Sequence, residues 1–400
     1  MPTGREKTSD EFDTVVVGGG IVGLCLTWFL AEEGAAVLCL DAGRNAGSTA
    51  NAGSLHAQMQ SRMERMFPER VADYEKTLSI YPRAIDYWGE LVKSLDDDVE
   101  FQVGGGLMVA ECREQMATLE AKSKRENALG VETSLLGRAE VLRLAPYLHR
   151  DVQGALLCPG EGKVNPLLAN AAIRRKALEH GGALRAGVRV QRIEAAKPGY
   201  VVASDAGRFR TGRVVIAAGA GSGELAATLG FHLPATAEPL HMNITEATKP
   251  FMRHLVQHAA EALTMKQLRT GQLLIGGGWP ARADHRGGAP MVVPDSLIGN
   301  LGLARHLVPA ITELHVTRTW AGTNTLIDLL SVLGEVEGLP GVFVAVPGDA
   351  GYTLGPYCAR LVVEQMSGRS PDYSLECFSP GRFSRANGDS PRAGVRTNSG

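Results

Sequence analysis

Residues 13–41 read DTVVVGGGIVGLCLTWFLAEEGAAVLCLD. A β-branched run, 14–17, meets Gly18, Gly20 and Gly23 in the order G-x-G-x-x-G. A helix-length apolar segment follows, and a second apolar run, 36–40, ends on Asp41. In a strand–turn–helix–strand unit each glycine has its own task. The first lets the strand turn tightly, the second lets backbone N–H groups approach a pyrophosphate, and the third lets the helix pack close to the sheet. The helix N-terminus offers unpaired donors to the negative charge, and an acid about twenty residues on accepts from a ribose hydroxyl. The order therefore predicts a dinucleotide site. A membrane anchor is the competing reading, since residues 14–31 are almost free of charge. Spanning needs about 20 apolar residues, and a helix beside a buried parallel strand explains the same apolarity, so the anchor is set aside.

At 400 residues the chain has room for two domains. A net charge of -2 gives no basic excess of the kind nucleic acid requires. The 48 glycines suit an α/β protein with many tight turns near a ligand. Six cysteines (Cys25, Cys39, Cys112, Cys158, Cys358, Cys377) are scattered without a C-x-x-C. That argues against zinc, an iron–sulfur cluster held by this chain, or a disulfide framework, and no metal site is expected. Residues 1–12 are polar and mixed in charge, unlike a secretory signal. A reducing, cytoplasmic setting is the expectation.

After Asp41 the small, polar loop 42–62 is suited to wrap a cofactor, because small side chains let backbone donors come close. Residues 66–95 and 113–144 look helical, and 99–110 looks like a strand broken at glycines 104–106. Asn165-Pro166 opens a helix that Gly181-Gly182 closes. Residues 185–193 read as a strand, and 200–210 as a hairpin. Then 213–223, RVVIAAGAGSG, repeats the opening logic of a buried strand running into small residues. Two such turns suggest a sheet that touches its ligand twice. Residues 234–248 and 261–278 alternate apolar and polar, as half-exposed antiparallel strands do. A helix is expected at 296–314, a strand at 342–346, a turn-rich segment at 347–356 and a last helix at 357–366. Residues 380–400 carry almost nothing apolar and read as a disordered tail.

These motifs, VVVGGGIVGL with Asp41, GSTANAG at 47–53, VVIAAGA at 214–220, RTWAG at 318–322 and GYTLGP at 351–356, resemble the D-amino-acid oxidase family of FAD-dependent oxidoreductases. Glycine oxidase and sarcosine oxidase belong to it. The resemblance runs over residues 13–377, in the family's order and spacing. Within the family, the wording ANAGSLHAQMQSR and AVPGDAGYTLGP is similar to the FAD-carrying β subunits of opine oxidase, hydrogen cyanide synthase and hydroxyproline dehydrogenase complexes.

The resemblance implies an α/β fold. A Rossmann-like FAD-binding domain would be assembled from 13–95, 151–228 and 316–377. An inserted antiparallel-sheet substrate domain would come from 96–150 and 229–315, with 1–12 and 380–400 as disordered tails. Gly18, Gly20 and Gly23 would take the pyrophosphate and Asp41 the ribose. Ser48, Asn51, Gly53, Ser54 and Leu55 would line the ribityl chain and flavin ring. Val190 would meet the adenine, and Ala218 and Gly219 would pass close to the dinucleotide. Gly348, Gly351, Tyr352, Thr353 and Leu354 would meet the pyrimidine end of the flavin. Asn51 stands where some relatives attach flavin covalently to a histidine, so the FAD should be dissociable. Asn324 stands where glycine oxidase-like members carry the arginine that holds the substrate carboxylate. Either a different cation takes that carboxylate, or the substrate is not a simple α-amino acid.

The implied reaction passes a hydride from the C–H beside an amine nitrogen to flavin, giving an imine that water hydrolyses. Orientation supplies much of the acceleration in such a step. Tyr352, Asn324 and His56 are the residues expected to orient a D-amino acid, opine, sarcosine or D-hydroxyproline; Arg62 and Arg318 are nearby in the motifs, and His241, like His56, is a histidine that could approach the substrate. The β-subunit likeness implies α and iron–sulfur partner subunits, and at most a peripheral place at the inner face of a membrane. Two alternatives stay open: an NAD(P)H-using flavin hydroxylase, because Gly348-Asp349 resembles that class, and a non-catalytic FAD-binding subunit of an electron-transfer complex.

Overall fold

The structure is a computed structural model and describes residues 11–43, 47–284 and 288–383. An eight-stranded sheet carries the parallel core. Strand β1 (Glu11–Val17) lies between β2 (Val37–Asp41) and the long strand Gly207–Ile216, parallel to both. Val342–Val346 continues the parallel set beside Val214–Ile216, and Ala183–Ala186 flanks β2. The long strand serves two sets of neighbours. Its first half closes a hairpin with Tyr200–Ser204, and its second half is buried between parallel strands. The predicted hairpin and the predicted buried strand are thus one continuous element.

Helix α1 (Ile21–Glu32) buries ten of its twelve residues. It packs against the helices Pro166–Glu179 and Gly351–Met366 while covering the sheet. A helix enclosed on every side is apolar all round, which is why this segment resembles a membrane anchor. No described helix is long and apolar enough to cross a membrane. The turn before α1 needs its glycines in two different ways. Gly18 has φ +112°, a region L side chains rarely adopt, and a Cβ on Gly23 would stand 1.7 Å from the Gly18 carbonyl oxygen.

The second sheet also has eight strands, in the order Val316–Leu326, Thr236–Thr245, Leu273–Gly276, Thr264–Gln267, Leu255–His258, Gly106–Ala110, Gly154–Cys158, Ser134–Gly137. One face is buried under the helix Pro294–Leu307. Two of its strands, Gly154–Cys158 and Val316–Leu326, come from segments assigned above to the FAD-binding part. Sheet membership therefore divides the chain differently, because the buried run GALLC pairs on both edges within this sheet. A three-stranded ribbon (Ser54–Leu55, Gly162–Lys163, Gln102–Val103) ties the sheets together.

Three other expectations change. The helical stretch 113–144 is two helices, Arg113–Ala128 and Arg138–Leu144, separated by the strand Ser134–Gly137. GYTLGP is not a loop but the first turns of Gly351–Met366, with Pro356 inside the helix. Of the two tails, 1–10 and 384–400 lie outside the described residues. Residues 11 and 12 open β1, and Arg382 is anchored by Asp328, its Nη2 2.9 Å from Oδ1. Gly23→Ala is expected to destabilise the chain by about 3 kcal/mol or more, since the clash is with backbone and no rotamer relieves it. Thermal unfolding of the cofactor-free protein measures this.

Candidate functional site

Parallel strands end on one edge of their sheet, and ligands of open α/β folds bind outside those carboxyl ends. Here β1 ends at Gly18, Gly207–Ile216 ends at Ala217-Ala218, and Val342–Val346 ends at Pro347-Gly348. A cleft of about 810 Å³ opens over that edge. Its wall includes Gly18 and Gly20, Asp41, Ser48 and Asn51, Val190, Ala218 and Gly219, and Gly348, Gly351 and Tyr352. Gly23 lies behind the turn, in the helix–strand contact. Asp41 sits against the turn so closely that a Cβ on Gly19 would be 2.6 Å from its own.

The cleft meets two helix N-termini whose own N-cap residues supply no side-chain cap. Helix α1 has Gly20 at its N-cap without a side-chain cap, and the Ser48 hydroxyl accepts from the Ile21 N–H at 2.9 Å. Gly351–Met366 likewise begins without a side-chain cap. Because GYTLGP is helical, its amides present the positive end of a helix dipole to the cleft, which favours negative charge there. A Cβ on Gly351 would meet nothing within 4 Å, so a group can approach this backbone closely.

The loop 47–53 is pinned by two donors from outside and by one bond of its own. Asn170 Nδ2 donates to the Ser48 carbonyl at 3.1 Å, Trp320 Nε1 to the Ala50 carbonyl at 2.9 Å, and Gly53 N–H to Asn51 Oδ1 at 2.7 Å. Asn51 Oδ1 is therefore taken up within its own loop. Gly53 (φ +71°) turns the chain against Val164, while Leu55 and Leu354 point into the core rather than onto the cleft wall. These three shape the site from beneath.

At the Asn51, Asn324, Asp349 and Tyr352 end, the cleft runs into a chamber of about 180 Å³ under the second sheet. Ser54, His56, Asn324 and Thr353 line it. Thr353 Oγ1 accepts from the His56 N–H at 3.2 Å, stitching the segments together. Tyr352 is stacked on Trp88, and its hydroxyl donates to the Pro166 carbonyl at 3.1 Å. That hydroxyl is committed to the fold and is not free to orient a substrate.

Asn324 belongs to a charge cluster that only tertiary structure assembles. Its Nδ2 donates to Glu238 Oε2 at 3.0 Å and to Asp349 Oδ1. Arg62, delivered by the short helix Ser61–Met66, pairs with Glu238 and lies 3.5 Å from Asp349 Oδ1. Burial raises the Asp349 carboxyl above its usual range despite Arg62 and Asn324. His56 Nδ1 is 3.7 Å from Glu161. Glu161 is fully buried and accepts from the Ala57 and Gln58 amides at 2.9 and 3.1 Å and from Gln257 at 3.1 Å. Nothing in its turn sequence, PGEGK, marks it as an anchor for the 56–58 backbone.

His241 and Arg318 are engaged by neighbouring side chains. His241 Nε2 is 3.1 Å from Asn243, which bonds Asn300 of Pro294–Leu307, so the ring belongs to the sheet–helix interface. Arg318 lies over the Trp320 ring. Lys266, which no motif singles out, lines the chamber.

A positive-φ glycine turn, an acid at the end of β2, open helix N-termini and a cleft of this size fit a bound dinucleotide. The fold and site are those of an FAD-binding oxidoreductase. The family model described as FAD dependent oxidoreductase matches residues 13–365, and the chain belongs to this D-amino-acid oxidase family; its cofactor is FAD. It is 26% identical over 390 residues to an opine oxidase subunit of Rhizobium meliloti, covering 93% of this chain and 98% of the relative. It is also 26% identical over 380 residues to glycine oxidase of Geobacillus kaustophilus, covering 92% and 96%. Among solved structures, L-proline dehydrogenase from P. horikoshii superposes with TM-score 0.83 at 22% identity over 94% of this chain and 99% of that one, which establishes the shared fold.

Arg62→Met is expected to cost about 3 kcal/mol at pH 8, because two carboxylates lose their cation. A carboxyl whose folded pKa is raised is penalised above that pKa and relieved as pH falls through it. The stability gap to wild type should therefore narrow toward pH 5 in thermal melts.

Proposed function

We propose that this chain oxidises an amino acid or secondary amine at the C–H beside nitrogen, in the chamber where Asn324, Arg62, Glu238 and Asp349 meet the FAD cleft. The observation that carries this reading is that the two cavities adjoin. Asn51, Asn324, Asp349 and Tyr352 stand in the walls of both the small chamber and the dinucleotide cleft. Bound FAD would accept the hydride. The protein's own share is to hold the amine in one orientation and keep water from the reacting carbon. Ser48, Asn51 and the amides opening Gly351–Met366 would hold the cofactor, while Asn324 and His56 stand where substrate would be placed. The similar opine oxidase and sarcosine oxidase chains are named as subunits of their enzymes. Their likeness supports a complex in which another chain carries the electrons onward. Secondary amino acids such as opines, sarcosine and D-hydroxyproline are the leading substrates.

The hydroxylase alternative needs Asp349 for the cofactor's ribityl chain. Its carboxylate is engaged by Arg62 and Asn324 instead, which favours amine oxidation.

The deciding measurement is anaerobic absorbance of the FAD-loaded chain with D-amino acids, glycine, sarcosine, D-hydroxyproline, octopine and nopaline. Bleaching by one of them is expected, with slow recovery in air. Bleaching by NADPH and by no amine would replace this reading with the hydroxylase. Acid precipitation is expected to leave all flavin in the supernatant, since Asn51 offers no attachment atom; yellow protein in the pellet would refute dissociable FAD.

A further inference from the structure

The chamber's roof is the face of the second sheet opposite the Pro294–Leu307 helix. Strand register fixes which side chains reach it. Lys266 pairs with Leu274, Thr264 with Gly276, and Gln257 with Thr264, so these residues share one face. Met265 and Ile275 alternate to the other face and enter the core beneath the helix. Lys266, Thr264 and Leu274 accordingly line the chamber.

Lys266 is 1% exposed, and among the described residues its Nζ has no hydrogen-bond partner. Ser54 Oγ and one ring nitrogen each of His56 and His241 also lack a partner, but the other charged groups at the chamber are paired. Arg62 faces Glu238 and Asp349, and Asn324 donates to the same two carboxylates. Lys163, a cation close enough to act on Lys266, donates to the Gln267 carbonyl at 2.5 Å. A lysine amine buried without a partner is costly to charge, and it becomes useful when an anion arrives.

We propose that Lys266 is the anchor for a substrate carboxylate, so that the chamber takes amines carrying a carboxylate and Lys266 Nζ pairs with that group. This rests on the amine-oxidation reading above and supplies the cation that Asn324 leaves out. A long, flexible lysine on the roof binds an anion as a point charge, without the planar fork of an arginine. It therefore suits a carboxylate whose placement varies with the N-substituent.

Proton uptake follows from the geometry. Burial, reinforced by Lys163 and only partly opposed by Glu100, holds the Lys266 amine well below its ordinary range. The other titratable groups lining the chamber are His56, Arg62, Asp349, Tyr74, Tyr81, Tyr352 and His241. Where the free amine is neutral, seating a carboxylate on it takes up one proton. Carboxylate affinity then falls by up to about tenfold per unit of rising pH.

The test uses the FAD-loaded full chain with acetate, N-methylglycine and pyrrolidine-2-carboxylate, each against its uncharged amide. Binding is read from the flavin absorbance shift, and proton uptake from calorimetry in two buffers of different ionisation enthalpy. Wild type is expected to bind acetate with uptake approaching one proton and to bind acetamide far more weakly. Lys266→Met should lose about 100-fold in carboxylate affinity and the proton uptake. It should keep amide binding and melt no lower than wild type, since Met fills the stem's volume without the buried amine. For N-methylglycine its KM should rise far more than its kcat falls, and Lys266→Arg should recover part of the affinity. Unchanged carboxylate binding and proton uptake in Lys266→Met would overturn the proposal, and so would failure of wild type to bind any of the three carboxylates. Carboxylate binding through Lys266 without flavin bleaching by any amine would instead overturn the proposed reaction and leave the anion site standing.

Discussion

Everything at this site depends on parallel strands sharing one carboxyl edge. Because β1, Gly207–Ile216 and Val342–Val346 run the same way, the turns that follow them open on the same side. Each turn must let a ligand approach backbone, so small residues recur at Gly18–Gly20, Ala217–Gly219 and Gly348. Two helices start from this edge without a side-chain cap from their own N-cap residues, although Ser48 takes the Ile21 N–H of the first. A polyanionic cofactor is thus received by backbone dipoles rather than by a cluster of lysines and arginines. That is why a chain of nearly balanced charge can hold one.

The chamber obeys a different rule. Its polar groups are partly shielded from water, so each charge requires a partner. Arg62 and Asn324 divide Glu238 and Asp349 between them, and Glu161 gathers the amides of the 56–58 segment. The balance is local. Lys266 stands outside it because its strand reaches the chamber from the roof, away from both carboxylates. Tyr352 shows the reverse case, a residue at the lining whose hydroxyl the core has already taken.

The glycine turn, the acid closing β2, the second turn at Gly219 and the alternating strands of the second sheet were all legible along the chain. Each is a local pattern whose physical cause lies within a few neighbouring residues. The membership of Gly154–Cys158 in the second sheet was not legible, because a short buried run carries no mark of which edge it joins. Nor was the helical state of GYTLGP. Gly and Pro discourage a helix on propensity, and enclosure among α1 and the neighbouring core outweighs that preference.

By itself, the sequence determined the α/β class and the cofactor cleft, since turn chemistry and strand period are written in consecutive residues. Tertiary structure alone decided that Arg62 would neutralise Asp349 and Glu238, that Tyr352 would be structural, and that Lys266 would face the chamber. Those outcomes join residues separated by up to 287 positions. Contacts of that span exist only when two sheets close over a common edge.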